Sequence, residues 1–308
     1  MKIALLFPGQ APRHLLSAVA DTAADPRGRA LLDRAAAAAQ VPCSTLLERG
    51  GRALDRTEIL QPVLTAVALH AARALFEAGL APCAVAGHSL GELAAWSAAG
   101  AIARDDAVDL AAVRGRLMAR EADRSPGGLL ALLDGSPAAI ERALAAGSPH
   151  GHLSIAAWNA PDEILLTGAP AALAAAARVV PSRAIPVAGA WHSPVMAGAV
   201  EELRDALRRA PRAALAHPLV ANRDGRVAAE GSIPDLLAEQ LTHPICWTRT
   251  LETLSALGIT DFVTVGPGTV LRGLVRKCLG ANTRVHGTED AAERRRTVAA
   301  LAGSSAAD

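Results

Sequence analysis

The stretch that decides the fold is CAVAGHSLGELAAWSAAG, residues 83–100. Its beginning, Cys83–Gly87, is a short apolar run typical of a buried parallel strand, and its end, Leu90–Ala99, has the composition of a helix that stops at Gly100. Between the two lies Gly87-His88-Ser89-Leu90-Gly91, a G-x-S-x-G pattern in a strand–turn–helix setting. Such a turn exposes the serine hydroxyl and directs the first helical amides toward developing negative charge. The pattern therefore indicates Ser89 as a nucleophile, and the alternative is a glycine-rich turn with no chemistry.

The elements on either side of this stretch predict an α/β protein with an insertion. Ile3–Phe7 is a second short apolar run, ended by Pro8-Gly9, and it predicts another buried parallel strand. The segment from about residue 126 to residue 189 reads strand-helix-strand-strand-helix-strand, which is the split βαβ, or ferredoxin-like, order. The sequence therefore predicts a small subdomain inserted into a larger domain that has a parallel sheet.

The composition is that of a folded protein with a large aliphatic core. Hydrophobic residues make up 51% of the 308 residues and charged residues 20%, which excludes a disordered chain. Aromatic residues make up only 2%, so few rings are available to stack on bases. The 31 Lys and Arg residues balance 30 Asp and Glu residues, and the net charge of +1 argues against nucleic-acid binding through bulk charge.

The sequence indicates neither a membrane segment nor a metal site. The longest strongly apolar stretch, Leu93–Ala103, is well short of the ~18 residues that span a bilayer. The N-terminus has Lys2 as its only early cation and no cleavage pattern, so no targeting signal is expected. The four cysteines lie far apart and form no CxxC pair, which favours reduced thiols and a cytoplasmic protein.

A serine nucleophile needs a base, and nine histidines compete for that role. His88 adjoins the serine in the chain, but neighbours at a sharp turn point in different directions, so we expect a structural role for it. His192 follows a predicted strand and precedes Ser193-Pro194, which suits the start of a helix. Because active sites form at such strand ends, His192 is the favoured base; the alternative is a histidine satisfied by packing.

Arg114 is the second chemically informative residue. Leu110 and Met118 lie four positions away on either side, which places Arg114 on the apolar stripe of its helix. A guanidinium on a buried face needs an anionic partner. The residues alone favour a structural pair with Glu92 or an aspartate. The alternative is a substrate carboxylate, which a guanidinium binds through two parallel hydrogen bonds.

Several short stretches extend the pattern beyond the serine turn, in a consistent order and spacing. They are Phe7-Pro8-Gly9-Gln10, Gly87-His88-Ser89-Leu90-Gly91-Glu92, Arg114-Gly115-Arg116-Leu117-Met118, Asn159-Ala160-Pro161, Trp191-His192-Ser193, Gln240-Leu241-Thr242-His243-Pro244 with Trp247, and Val265-Gly266-Pro267-Gly268. With them the chain resembles, over nearly its whole length, the malonyl-CoA:acyl-carrier-protein transacylase family and the related acyltransferase domains of polyketide synthases.

The resemblance implies a fold that agrees with the element order. It implies an α/β-hydrolase-like large domain with a parallel sheet, formed by residues 1–124 and 190–300. The inserted ferredoxin-like subdomain is expected at residues 125–189, and residues 301–308 are expected to form a frayed tail.

The resemblance also assigns roles around the serine. It implies Ser89 as the nucleophile and His192 as the base. The backbone carbonyl of Gln240, rather than an aspartate, would orient His192. The backbone N–H groups of Gln10 and Leu90 would form the oxyanion hole.

By the same resemblance Arg114 would bind a malonyl carboxylate, with Glu92 as a secondary contact. The implied chemistry is ping-pong: the serine takes malonyl from malonyl-CoA as an ester, and the phosphopantetheine thiol of an acyl carrier protein then accepts it. The expected partners are malonyl-CoA and an acyl carrier protein, in polyketide or fatty acid biosynthesis. No nucleic acid, membrane, metal or further cofactor is expected.

The chain departs from the family pattern at two places. Where the family usually has Gly, a small residue and Gln after Gln10, this chain has Ala11-Pro12-Arg13. Pro12 lacks an N–H and restricts the residue before it, so a reshaped loop is expected beside the oxyanion hole. The residue before His192 is Trp191, which is closer to the polyketide enzymes, where Phe is frequent. We expect Trp191 near the acyl α-carbon, where it disfavours a methyl branch; the alternative is that it packs beneath the small subdomain.

Two other functions fit the same residues less well. A thioester hydrolase that edits carrier-bound chains would leave the Arg114 charge unpaired opposite a neutral acyl group. A catalytically idle scaffold that only docks carrier proteins would have no use for an intact set of Ser89, His192, Gln10 and Arg114.

Overall fold

The computed structural model describes residues 1–9, 15–47 and 52–305, the last three by their backbone alone. The strands in this part of the chain are β1 Ile3–Phe7, β2 Ala84–Gly87, β3 Gly128–Leu132, β4 Leu153–Ala160, β5 Glu163–Gly168, β6 Ser182–Ile185, β7 Leu219–Val220, β8 Asp261–Thr264 and β9 Arg284–His286. The α-helices are α1 Leu15–Ala23, α2 Pro26–Ala38, α3 Cys43–Leu46, α4 Thr57–Glu77, α5 Gly91–Ala98, α6 Arg104–Arg124, α7 Pro137–Gly147, α8 Pro170–Ala177, α9 Ala197–Arg209, α10 Ile233–Glu239, α11 Trp247–Ala256, α12 Val270–Leu279 and α13 Ala291–Ser305.

A five-stranded parallel sheet organises the larger part of the molecule. Its order is β7-β2-β1-β8-β9, and each neighbouring pair runs parallel. Both β1 and β2 are buried along their whole length, as their short apolar sequences predict. Because parallel strands end at one edge of the sheet, the residues that follow β1, β2 and β7 meet there.

A four-stranded antiparallel sheet forms the smaller part. Its order is β4-β5-β3-β6, and α7 and α8 complete the strand-helix-strand-strand-helix-strand sequence. The predicted fold class, a parallel α/β sheet with an inserted ferredoxin-like unit, is confirmed. The chain after this unit also extends its sheet, because Trp158 N–H donates to Ile245 O and Ile245 N–H donates to Ala156 O, both at 2.9 Å. The domain boundaries at residues 124, 125, 189 and 190 stay a prediction.

Two element boundaries differ from the sequence expectation. The helical spacing of Val63, Val67, Ala71 and Leu75 predicts a helix over Pro62–Ala78. Helix α4 begins earlier, at Thr57, and Pro62 lies inside it. Ile59 and Gln61 of the added turn are buried, and this burial offsets the hydrogen bond that a proline cannot make. Helix α13 continues to Ser305, so the tail predicted to fray from residue 301 is helical at its start, where Leu301 packs into the main core. Residues 306–308 lie outside the described residues.

Helix α4 is also the longest apolar helix in the described ranges. It is long and apolar enough to cross a membrane, but 83% of its apolar stretch is buried inside the protein. It packs between α2, α5 and α6 and forms part of the core of the larger unit.

Candidate active site

Ser89 stands on a strained turn between β2 and α5. Its φ of +52° lies in the left-handed region, which a residue other than glycine adopts at an energetic cost. The flanking glycines are required by close approach: a Cβ on Gly87 would lie 2.0 Å from Gly91 C, and a Cβ on Gly91 would lie 2.1 Å from Phe7 O. The backbone thus forms the sharp strand–turn–helix that the sequence predicted.

His192 lies within hydrogen-bond distance of this serine. Its Nε2 is 2.8 Å from Ser89 Oγ, and its Nδ1 is 2.9 Å from the backbone oxygen of Gln240. Because a carbonyl oxygen only accepts, Nδ1 carries the proton, and Nε2 is left to accept the hydroxyl proton of Ser89. Burial, and secondly the charge of Arg114, lower the pKa of His192 to about 3, so the imidazole is neutral near pH 7.

His192 reaches this place by a route that the sequence did not fully predict. It lies in the connection that returns from β6 to the larger unit, and its φ is +58°. Ser193 caps the 3₁₀ turn Pro194–Met196, since its Oγ accepts from Val195 N–H at 3.3 Å, and α9 follows that turn. The predicted helix start at Ser193 is thus a 3₁₀ turn.

Arg114 is buried beside the serine, with 3% of its surface exposed. One Nη donates to Gln61 Oε1 at 2.8 Å, and the other donates to Ser89 Oγ at 3.1 Å and to Gln240 Oε1 at 2.9 Å. All three acceptors are neutral, and none of the acidic residues in the described ranges forms an ion pair with this guanidinium. Burial lowers the pKa of Arg114 to about 10, so it keeps its charge at neutral pH.

Glu92 is separated from Arg114 by one amide group. The side chain of Gln240 donates through Nε2 to Glu92 Oε2 and accepts through Oε1 from Arg114. The other oxygen of Glu92 accepts from Asn222 N–H at 3.0 Å. The pKa of Glu92 is raised to about 7, because burial raises it by more than these two hydrogen bonds lower it. The direct structural pair between Arg114 and Glu92 that the residues alone favoured does not form, because Gln240 stands between them.

Of the two backbone amides predicted for an oxyanion hole, only that of Leu90 lies in the described part of the chain. The N–H of Ser89 itself donates to Asn222 Oδ1 at 2.6 Å, so it is not available to a ligand. Leu90 follows at the N-terminus of α5, and no described residue accepts from its N–H. Gln10 and the departure Ala11-Pro12-Arg13 lie outside the described residues.

Trp191 is buried immediately before His192, with 8% of its surface exposed. Its ring lies on Gly189, where a Cβ would stand 2.2 Å from Trp191 Cζ3, and the residue belongs to the main hydrophobic core. These contacts hold the indole firmly beside the base.

His88 has the structural environment that the sequence predicted for it. Its Nε2 is 2.8 Å from Asn159 Oδ1, and its ring packs edge-on against Trp247 at 5.2 Å between centroids. Burial lowers the pKa of His88, so it too is neutral. This histidine therefore ties the serine turn to strand β4 and does not compete for the hydroxyl proton.

Sequence reasoning missed two polar residues of the site. Gln61, on α4, accepts from Arg114, and Asn222, just after β7, contacts the backbone of Ser89. A signal was present for Asn222, because a polar residue directly after a short apolar strand stands at the edge where such sites form. Across residues 1–9, 15–47 and 52–305 no cluster of three or more His, Cys, Asp or Glu side chains has the arrangement of a metal site.

Fold and site together define an acyl transferase. Residues 18–241 match the family described as the acyl transferase domain. A curated relative, the malonyl CoA-acyl carrier protein transacylase of Bacillus subtilis, is 32% identical over 285 residues, which cover 90% of either chain. The chain therefore belongs to the malonyl-CoA:acyl-carrier-protein transacylase family, and the resemblance predicted from its motifs is confirmed.

Solved structures agree with this membership. The structure of MCAT from Streptococcus pneumoniae is similar with a TM-score of 0.87 and 29% identity, covering 96% of this chain and 99% of that one. A second structure shows a type II PKS acyl-carrier protein in complex with its malonyl-transacylase. It matches with a TM-score of 0.87 and 27% identity, covering 97% of this chain and 99% of that one.

Proposed function

We propose that this protein transfers a malonyl group from malonyl-CoA to the phosphopantetheine thiol of an acyl carrier protein. The names of its relatives support the two substrates, and the arrangement of Ser89, His192 and Arg114 supports the chemistry. The carrier belongs to fatty acid or polyketide biosynthesis.

The observation that carries the proposal is the unpaired charge beside the nucleophile. Arg114 is buried, keeps its proton and is held by neutral oxygen atoms. A buried cation without a carboxylate is costly, and a carboxylate brought in by the substrate relieves that cost. Since the guanidinium is 3.1 Å from Ser89 Oγ, an acid whose carboxylate it holds presents a carbonyl a few bonds away to the serine.

In the first half of the proposed reaction Ser89 Oγ attacks the carbonyl carbon of the thioester while its proton passes to His192 Nε2. The N–H groups of Leu90 and Gln10 stabilise the oxygen that gains negative charge. When the C–S bond breaks, the proton on His192 passes to the sulfur of CoA, and a malonyl ester of Ser89 remains.

In the second half the phosphopantetheine thiol enters where CoA left. His192 takes the thiol proton, the sulfur attacks the ester, and the proton returns to Ser89 as the C–O bond breaks. The carbonyl of Gln240 stabilises the imidazolium formed in each half, because it accepts from Nδ1–H. These steps balance without electron transfer, so we propose no cofactor beyond the CoA and phosphopantetheine carried by the substrates.

We also propose that the protein acts in the cytoplasm. All four cysteines are free thiols in the structure, and reduced thiols are typical of that compartment.

Transfer is tested by mixing the enzyme with malonyl-CoA and a holo acyl carrier protein and weighing the carrier by mass spectrometry. We expect malonyl-loaded carrier and free CoA in equal amounts, and no loading of an apo carrier that lacks the phosphopantetheine thiol. Release of free malonate with the holo carrier left unloaded would instead identify a thioester hydrolase and would overturn the transfer step.

A further inference from the structure

The turn at Ser89 leaves two backbone groups without strand partners. Strand β2 ends at Gly87, and the chain then leaves the sheet to begin α5. The neighbouring strand β7 is shorter still, and its last pair with β2 is Val220 with Ala86. Beyond that pair the carbonyl of Gly87, which is buried, and the N–H of Ser89, which is half-buried, have no ladder to join, and leaving them unsatisfied has an energetic cost.

Asn222 supplies both missing partners. Its Oδ1 accepts from Ser89 N–H at 2.6 Å, and its Nδ2 donates to the carbonyl of Gly87. Its backbone is fixed as well, since its N–H donates to Glu92 Oε1 at 3.0 Å and its carbonyl accepts from Cys246 N–H at 2.8 Å. The residue is fully buried. One side-chain amide therefore holds the turn on both sides of the strained residue.

We propose that Asn222 is a positioning residue for the nucleophile. It fixes Ser89 in the left-handed conformation from which Oγ lies 2.8 Å from His192 Nε2 and 3.1 Å from Arg114. It also occupies the N–H of Ser89, which leaves the N–H of Leu90 as the amide that faces a ligand. This inference rests on the proposed role of Ser89 and adds the residue that holds that serine in place.

The side chain at this position must accept from an N–H and donate to a carbonyl, and an amide does both at any pH near neutrality. A carboxylate at this position would accept from Ser89 N–H but would repel the carbonyl of Gly87. Burial raises the pKa of a carboxyl group, and the nearby acids Glu92 and Asp224 raise it further, whereas the charge of Arg114 lowers it. Once protonated, the carboxyl group donates to Gly87 as the amide does.

The test compares Asn222→Leu and Asn222→Asp with the unmodified enzyme, by the rate of CoA release with malonyl-CoA and holo carrier protein. For Asn222→Leu we expect kcat to fall on the order of 100-fold, because a serine displaced by about 1 Å costs that much, while KM changes little. For Asn222→Asp we expect a similar loss at about pH 8. The ratio of its kcat to that of the unmodified enzyme rises toward about pH 5.5, as the carboxyl group takes up its proton.

The two variants control for each other and for folding. Both contain Glu92 and His192, so only a group introduced at position 222 makes their pH profiles differ. Thr297→Val, which removes a buried hydroxyl bonded to Gly287 O at 2.7 Å far from the serine, is expected to lower thermal stability and leave kcat unchanged. If Asn222→Leu does not fold, the proposal is still tested by Asn222→Asp, through the change with pH in the ratio of its kcat to that of the unmodified enzyme.

Unchanged kcat in Asn222→Leu would overturn the proposal. So would an equal, pH-independent loss in both variants, which would reduce Asn222 to a packing residue. Neither result would contradict the proposed function, because malonyl transfer itself is measured with the unmodified enzyme in the same assay.

Discussion

At the scale of single residues, Arg114 is expected to separate malonyl from neutral acyl groups. Replacing it by alanine removes a charge-assisted, buried pair with the substrate carboxylate, which costs on the order of 2–5 kcal/mol of transition-state binding. Acetyl-CoA has no carboxylate, so Arg114→Ala is expected to weaken malonyl transfer far more than acetyl transfer. The measurement is kcat/KM for the two thioesters.

A neighbouring arginine supplies the control. Arg116 lies on the same helix, is exposed, and donates to Ala38 O away from the serine. Arg116→Ala makes the same change of charge and is expected to leave the ratio of the two rates unaltered. An equal loss of malonyl and acetyl transfer in Arg114→Ala would contradict the carboxylate assignment.

Trp191 is expected to limit the size of the acyl group. Its indole is buried and held against Gly189 beside the base, so it has little freedom to make room for a methyl branch. We expect strong preference for malonyl- over methylmalonyl-CoA, relaxed in Trp191→Ser and less so in Trp191→Phe. One methyl group usually changes binding by ~1–3 kcal/mol, and exclusion by a rigid ring exceeds that. An unchanged ratio of kcat/KM in a folded variant would place Trp191 outside the acyl pocket.

At the scale of elements, the close approach of α5 to β1 depends on Gly91. A Cβ there would meet the carbonyl oxygen of Phe7 at 2.1 Å, and backbone cannot move aside as a flexible side chain does. Gly91→Ala is therefore expected to destabilise the protein by more than the ~1–3 kcal/mol typical of overpacking. Gly273→Ala is the matched control, since Gly273 lies within α12 with open space around it.

Thermal unfolding of the two glycine variants is the measurement. Gly273→Ala is expected to keep or slightly raise Tm, because alanine loses less backbone freedom than glycine on folding. A Gly91→Ala protein as stable as the unmodified one would show that α5 does not need this approach to β1.

The elements around Ser89 are predictable from sequence because their signals lie in one continuous stretch. A strand, a sharp turn and a capped helix follow one another within residues 83–100, and the order of strands and helices between 128 and 185 is equally local. The start of α4 does not follow from the local sequence, because Pro62 suits a first helical turn, whereas burial of the turn before it depends on distant packing.

The contacts of the site are predictable only in part, because they join residues far apart in the chain. The resemblance pointed to the backbone of Gln240, but its side chain, which separates Arg114 from Glu92, carries no local signal. Gln61 likewise meets Arg114 only because α4 packs on α6. Local patterns name the reacting groups, and the surrounding hydrogen bonds emerge only from the folded chain.

At the scale of the whole molecule, burial of several histidines makes stability depend on pH. Burial lowers the pKa of His70, His88, His192 and His217 below its ordinary value of 6.5. Below pH 6.5 the unfolded chain therefore binds more protons than the folded one, and stability rises with pH up to about 6.5. Glu92, whose pKa is raised to about 7, makes stability fall with pH, but this one group opposes four histidines.

The expected result is a Tm that rises from about pH 5 to about pH 6.5 and then levels off. Scanning calorimetry in buffers of different ionisation enthalpy would also show net proton uptake on unfolding in that range. A Tm that falls across the same range would mean that these histidines are not held neutral by the fold.

The central claim is that the whole fold brings a base and a buried cation to one serine so that this serine carries the malonyl group. Intact-mass measurement of the protein after mixing with malonyl-CoA tests it most directly. The unmodified protein is expected to gain the mass of one malonyl group, located on Ser89 by peptide analysis, and Ser89→Ala is expected to gain none. A persistent adduct of the same mass on Ser89→Ala would place the nucleophile elsewhere and contradict the account.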